Sequence, residues 1–341
     1  MQKYLDNGIF DETKPGYIYV ERTLKNGKLR RGLLGLIDLE EYDFSPGSSS
    51  PVRATEGTVI ERIPPRAAVR RGAPLELPHI MLLVDDPCLT LIEPMSDMQL
   101  KQIYNFPLME NSGHLKGYFA GSETFEHVER SISNLWNTAK NKGPAGSSPV
   151  LFAVGDGNHS LATAKTCWQE IKSTLTETAS AIHPARYALV ELVNLHDGSL
   201  DFEPIHRVVF NTDPEALLNA FKKFFSPHSI GTDEIQYITS NCRGSLAISS
   251  HFFGTVTGAL QQFLDDYLLS HSGKLDYIHG DDTARTMASQ PGNVGFILPP
   301  IQKSGFFDAI TANGPLPRKT FSMGHAYDKR FYLECRRILP E

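Results

Sequence analysis

Five apolar residues, Val150–Val154, run without a break into Gly155-Asp156-Gly157-Asn158-His159-Ser160, and Leu161-Ala162-Thr163-Ala164-Lys165 follows. An uninterrupted apolar run of this length reads as a strand buried on both faces. Two glycines in three residues let the chain turn tightly and approach another backbone closely. Asn158 or Ser160 can then cap a helix, predicted from about Ser160 to Thr178. The first turn of that helix presents free N–H groups and the positive end of its dipole, which suits a phosphate or carboxylate. Gly155, Gly157, Asn158 and Ser160 are therefore candidate phosphate-binding positions. Asp156 can bind a divalent metal such as Mg²⁺ or accept a proton. His159 can donate to a phosphate oxygen, act as acid or base, or ligate metal. An ordinary capped turn with a solvated Asp and His has the same pattern. No GxxxxGK[S/T] occurs anywhere, and Ser160 stands where a dinucleotide fingerprint needs its third Gly.

The rest of the chain alternates strands and helices irregularly. Tyr17–Glu21 and Leu29–Asp38 read as a hairpin around Lys25-Asn26-Gly27-Lys28, and His79–Asp85 reads as a buried strand. Phe125–Lys142 has helical spacing, and Asp213-Pro214 opens a helix through Phe225. Further strands are expected at Tyr187–Leu195, Ile205–Phe210 and Val294–Leu298. The fold class is mixed α/β rather than a regular doubly wound sheet. A turn at His196-Asp197-Gly198-Ser199 marks a boundary, giving a first domain over residues 1–200 and an α/β subdomain over 201–341. Phe252-Phe253 and Phe306-Phe307 are expected in the core.

The 341 residues carry 33 Lys+Arg against 39 Asp+Glu, a formal charge of −6. That balance argues against a protein that coats nucleic acid or an anionic membrane. Cys88, Cys167, Cys242 and Cys335 form no CxxC and read as buried, reduced thiols. No run approaches the roughly 20 apolar residues of a membrane span, and no signal-peptide core opens the sequence. A cytoplasmic location is expected.

The local charge is another matter. Arg53, Arg62 and Arg66 surround Glu56 and Thr58 within fourteen residues, with Arg70 and Arg71 beyond. A phosphoryl-transfer site needs cations for oxyanions and a base for the attacking hydroxyl. A surface ion-pair network on an irregular loop has the same composition. Pro64-Pro65 is expected to break any long helix here. His206-Arg207 at a strand start and the basic pair Arg318-Lys319 can each hold an anion. His279-Gly280-Asp281-Asp282 reads as a turn.

Phe152–Lys165 resembles the signature of the DUF1015 family, whose usual motif is Asp-Gly-His-His-Arg. Asn158 replaces the first His and Ser160 the Arg. Arg53–Thr58 resembles the family's His-Glu-Arg-Thr block, Pro204–Val209 its His-Arg block, and Leu316–Phe321 its Pro-Arg-Lys-Ser-Thr block. The Asp-Gly-x-His motif in turn resembles that of the ParB/sulfiredoxin fold group. That group includes partition proteins that hydrolyse CTP, sulfiredoxin, and an ADP-dependent kinase of free serine. The resemblance implies a ParB/sulfiredoxin-like core with a mixed sheet, and a nucleotide di- or triphosphate with Mg²⁺ as cofactor. Glu56 would be the base on the acceptor hydroxyl. It also implies that this chain is N-terminally shortened, and Ser160 removes a bidentate phosphate clamp.

The expected function is a nucleotide-dependent phosphotransferase, kinase-like with a small hydroxyl acceptor such as serine, or a nucleotide hydrolase. The alternative is a non-catalytic nucleotide- or metabolite-binding module of ParB-like type. The expected partners are a small-molecule substrate and a nucleotide, with no membrane or nucleic acid. Homo-oligomerisation stays open.

Overall fold

The structure is a computed structural model that describes residues 1–77, 79–142, 147–226, 233–248, 256–324, 326–329 and 331–340. Phe252 and Phe253 lie outside them. The strands are β1 Tyr17–Thr23, β2 Leu29–Asp38, β3 Tyr42–Asp43, β4 Val52–Ala54, β5 Leu75–Glu76, β6 Met81–Val84, β7 Lys101–Pro107, β8 His114–Ala120, β9 Phe152–Asp156 and β10 Tyr187–Asn194. They continue as β11 Phe202–Phe210, β12 Asp233–Ile238, β13 Arg243–Ile248, β14 Lys274–His279, β15 Val294–Ile297, β16 Phe321–Met323 and β17 Arg336–Arg337. The helices are α1 Gln2–Asp6, α2 Ile63–Arg70, α3 Phe125–Lys142, α4 Asn158–Lys172, α5 Glu177–Ile182, α6 Pro214–Phe225, α7 Val256–Leu268, α8 Asp281–Ala288 and α9 Phe306–Asn313.

The chain divides into two compact units, one of residues 1–201, 310–315 and 324–341, the other of 202–309 and 316–323. The first holds a nine-stranded mixed sheet in the order β3-β4-β9-β6-β10-β2-β1-β8-β7. The strands β6 and β10 pair in parallel, as do β4 and β9, while the antiparallel pairs β1–β2 and β7–β8 join side by side through β1 and β8. Strands β6 and β10 are nearly all apolar because both faces are covered. Alternation along β1 and β2 sends Tyr19 and Leu33 to one face, where they pack with Val128 of α3 and Leu161, Ala164 and Trp168 of α4. Val20 and Leu34 point to the other face, against Leu108, Leu115 and Phe331 of the tail.

The second unit is an antiparallel sheet, β13-β12-β15-β11-β14, with β16 also pairing β11. Helices α6 and α7 pack on one face through Phe221, Phe225, Leu260 and Phe263, and α8 on the other through Ala284 and Ala288.

Several expectations need correcting. No long helix runs through Pro64-Pro65, as expected, but the prolines do start a short one: both sit in the first turn of α2, where their missing N–H groups have no partner to lose. The motif helix begins at Asn158, and a second short helix, α5, replaces its predicted last turn. Asp281-Asp282 open helix α8 rather than closing a turn. Only Cys167 of the four free thiols is buried. Among the described residues no helix is long and apolar enough to cross a membrane.

Candidate functional site at the β9–α4 turn

Strand β9 ends at Asp156, and Gly157 turns the chain into α4 with φ +88 and ψ 21. A Cβ on Gly157 would stand 3.0 Å from Ile80 Cα and 3.1 Å from the His79 carbonyl oxygen. Glycine is required here twice over, for the left-handed backbone and for the close approach of the residues leading into β6.

Gly157 itself occupies the N-cap position, and no side chain caps the helix there. The expected caps do other work. Asn158 turns back to the chain beside β4: its Oδ1 accepts the Thr55 N–H at 3.2 Å, and its Nδ2 lies near Thr55 Oγ1 and the Val154 carbonyl. Thr55 Oγ1 donates to that same carbonyl at 2.5 Å. His159 Nε2 accepts the Val59 N–H at 3.2 Å, so in this contact the ring is neutral with its proton on Nδ1. Ser160 Oγ is hydrogen-bonded to His79 Nε2. His79 carried no motif signal.

The outcome is a clamp. Residues 55–59 lie over the first turn of α4, pinned at Thr55 by Asn158 and at Val59 by His159. Half-buried Glu56 and Thr58 sit between the pins, and the Thr58 hydroxyl is buried without a hydrogen-bond partner. Asp156 Oδ1 accepts the Gly157 N–H at 2.8 Å, and Oδ2 pairs with Lys329 Nζ at 2.9 Å.

Arg53, Arg66, Arg70 and Arg71 each make a contact with a group other than Glu56. Arg53 is buried, and its Nε and Nη2 donate to the Ser50 and Ser148 carbonyls, each at 2.8 Å. It therefore ties two loops together. Arg62 and Arg66 are exposed on the approach to α2 and in its first turns, with Arg66 donating to the Arg62 carbonyl. Arg70 and Arg71 pair with Glu76 and Glu170.

The remaining candidates belong to the second unit. Arg207 is fully buried; its guanidinium donates to the carbonyls of Ile205, Lys319 and Arg318 and to Gln261 Oε1. Its visible work is to hold the Arg318-Lys319 turn against β11. His206 is buried, with Nδ1 accepting the Leu298 N–H at 3.2 Å. Burial first, then the nearby arginines and His279, push its pKa below the ordinary value against the opposing pull of Asp281. A neutral core histidine is a poor anion holder. Arg318 and Lys319 are exposed; Arg318 Nε donates to Tyr277 Oη at 3.1 Å.

Among the described residues no three His, Cys, Asp or Glu side chains group as metal ligands. The single motif carboxylate, Asp156, is paired with an ammonium. A Mg²⁺ at the Asp156 carboxylate would compete with the Lys329 ammonium for it.

A mixed α/β sheet with a glycine-turned strand-to-helix corner, overlaid by a carboxylate-bearing segment, defines an α/β protein with a polar site at a helix N-terminus. Residues 1–312 match the family described as protein of unknown function (DUF1015), and the chain belongs to that family. No curated protein matches it. Similar solved structures include C-terminally truncated SbnI from Staphylococcus aureus, 9% identical over 86% of this chain and 83% of that chain, TM-score 0.43. A free serine kinase in complex with AMP is 10% identical over 90% and 91%, TM-score 0.43. A conserved hypothetical protein from Pyrococcus furiosus is 10% identical over 90% and 95%, TM-score 0.42. Likeness this slight says nothing of activity.

Proposed function

We propose that the β9–α4 turn binds the phosphates of a nucleotide and that the protein transfers a phosphoryl group to a small hydroxyl compound such as serine. The observation that carries this reading is the clamp of residues 55–59 over the first turn of α4. A helix N-terminus capped by glycine favours a phosphate through its dipole and N–H groups. In this reading Glu56, whose neighbours Thr55 and Val59 are pinned to that turn, orients the acceptor hydroxyl and takes its proton. Catalysis of this kind is mostly positioning and charge stabilisation.

A second reading is a nucleotide- or metabolite-binding regulatory module. His159 favours it, because Nε2 already accepts the Val59 N–H and has no lone pair left for a proton.

The two readings separate by following nucleotide consumption with ³¹P NMR across ADP, ATP and CTP, with small hydroxy compounds present. Turnover that falls by about 10²–10⁴ in Glu56→Gln supports the transferase. Nucleotide-induced thermal stabilisation without turnover supports the module. No response to any nucleotide sinks both.

A further inference from the structure

One contact at the β9–α4 turn comes from far along the chain. Lys329, whose Nζ lies 2.9 Å from Asp156 Oδ2, ends the short 3₁₀ turn Ala326–Lys329. That turn is held from inside the first unit. Its buried neighbour Asp328 offers a carbonyl to Arg30 Nη1 at 3.2 Å. The Phe331 carbonyl, just beyond, accepts from Arg22 Nη2 at 2.9 Å. Arg22 and Arg30 are paired residues of β1 and β2, each 3% exposed. Glu191, 3.4 Å from Arg30, offsets part of the cost of burying these guanidinium groups. Their bonds to the Asp328 and Phe331 carbonyls fix the backbone on both sides of Lys329 and so fix where its ammonium stands. Tyr332 follows on the same strap. Its phenol is partly buried, and burial is the main reason its pKa is raised.

We infer that Lys329 is the cation of this site: its ammonium binds the terminal phosphate of the nucleotide, and Asp156 positions that ammonium instead of ligating a metal. The inference rests on the nucleotide reading above. An ammonium has three N–H donors, so one can stay on Asp156 while two meet phosphate oxygens. The chain thus carries its own counter-charge to the site, and binding there needs no divalent ion.

The test is calorimetric titration of the full chain with ADP, AMP and inorganic pyrophosphate, in EDTA and in excess Mg²⁺ at equal ionic strength. Wild-type affinity for ADP should agree within about twofold between the two buffers. Lys329→Met should weaken ADP about tenfold in both, equivalent to about 1.4 kcal/mol. It should weaken AMP less, because AMP lacks the terminal phosphate, and Lys329→Arg should keep most of the ADP affinity. Unchanged tryptophan fluorescence shows that Lys329→Met is folded. Wild-type binding that collapses in EDTA, or a Lys329→Met protein that binds ADP like wild type, overturns the inference. Pyrophosphate separates the two ideas. If it binds in a Lys329-dependent way while ADP does not bind, the nucleotide reading fails and Lys329 keeps its role; if neither binds, both fail.

Discussion

Replacing Gly157 by alanine tests the corner on which the whole site depends. Gly157 has φ +88, and a left-handed alanine costs about 1–2 kcal/mol. The new Cβ also meets Ile80 Cα at 3.0 Å and the His79 carbonyl oxygen at 3.1 Å. These are backbone atoms of the segment entering β6, so relief requires the sheet to move, adding about 1–3 kcal/mol. The total is about 2–5 kcal/mol, a large share of the stability of an ordinary domain. The two tryptophans, Trp136 and Trp168, both lie in the first unit, and Trp168 is buried in α4. Urea unfolding followed by tryptophan fluorescence therefore reads this unit directly. With a urea slope of about 2 kcal/mol per M, the midpoint should fall by about 1–2.5 M. Gly57→Ala is the control, since a Cβ there meets nothing within 4 Å. It should leave the midpoint unchanged or slightly higher. A Gly157→Ala midpoint within about 0.3 M of wild type, on the same slope, would refute the account of the turn.

Three further outcomes follow from the packing. Glu191→Ala leaves Arg30, its partner at 3.4 Å, buried with its charge uncompensated, and should cost the first unit about 3–5 kcal/mol in the same fluorescence assay. Arg207→Met strips the donors from the Ile205, Arg318 and Lys319 carbonyls. It should destabilise the second unit by about 2–4 kcal/mol, read as faster amide exchange in β11. The pKa of His206 is depressed in the folded state, so the unfolded chain takes up its proton first on acidification. Its contribution is present above about pH 6.5 and is lost as pH falls from there through the folded value. His206→Asn, which can still accept the Leu298 N–H, should flatten the decline in second-unit stability between pH 7.5 and 5.5, measured by exchange of β11 amides.

The parts of the fold that the sequence reveals are those whose pattern is local. Helix α3 matches its predicted bounds because one face repeats apolar residues at helical spacing. Asp213 and Pro214 mark the start of α6, with the aspartate accepting the N–H groups of Glu215 and Ala216. Strand β7 escapes notice because it is a mostly exposed edge strand with polar residues and no alternation to detect. Helix α8 hides behind Gly280-Asp281-Asp282, where two acids that suggest a turn in fact favour a helix N-terminus. In the site, Asp156, Asn158, His159 and Glu56 are legible because they lie in compact motifs. Arg53 and Arg207 are legible as charges, but not as residues whose donors close onto carbonyls, because only burial and loop geometry decide between ligand and carbonyl. Lys329 and His79 are invisible: nothing local in either stretch points to β9.

The strap has a consequence for how the protein is made. Arg22 finds its acceptor at Phe331, 309 residues later. At a translation rate of about 5–20 residues per second, the β1–β2 hairpin waits about 15–60 s for the segment that covers its arginines. During that interval Arg22 and Arg30 are without the two tail carbonyls, while Glu191 is already there to pair with Arg30. Final consolidation of the first unit is therefore a late event in synthesis.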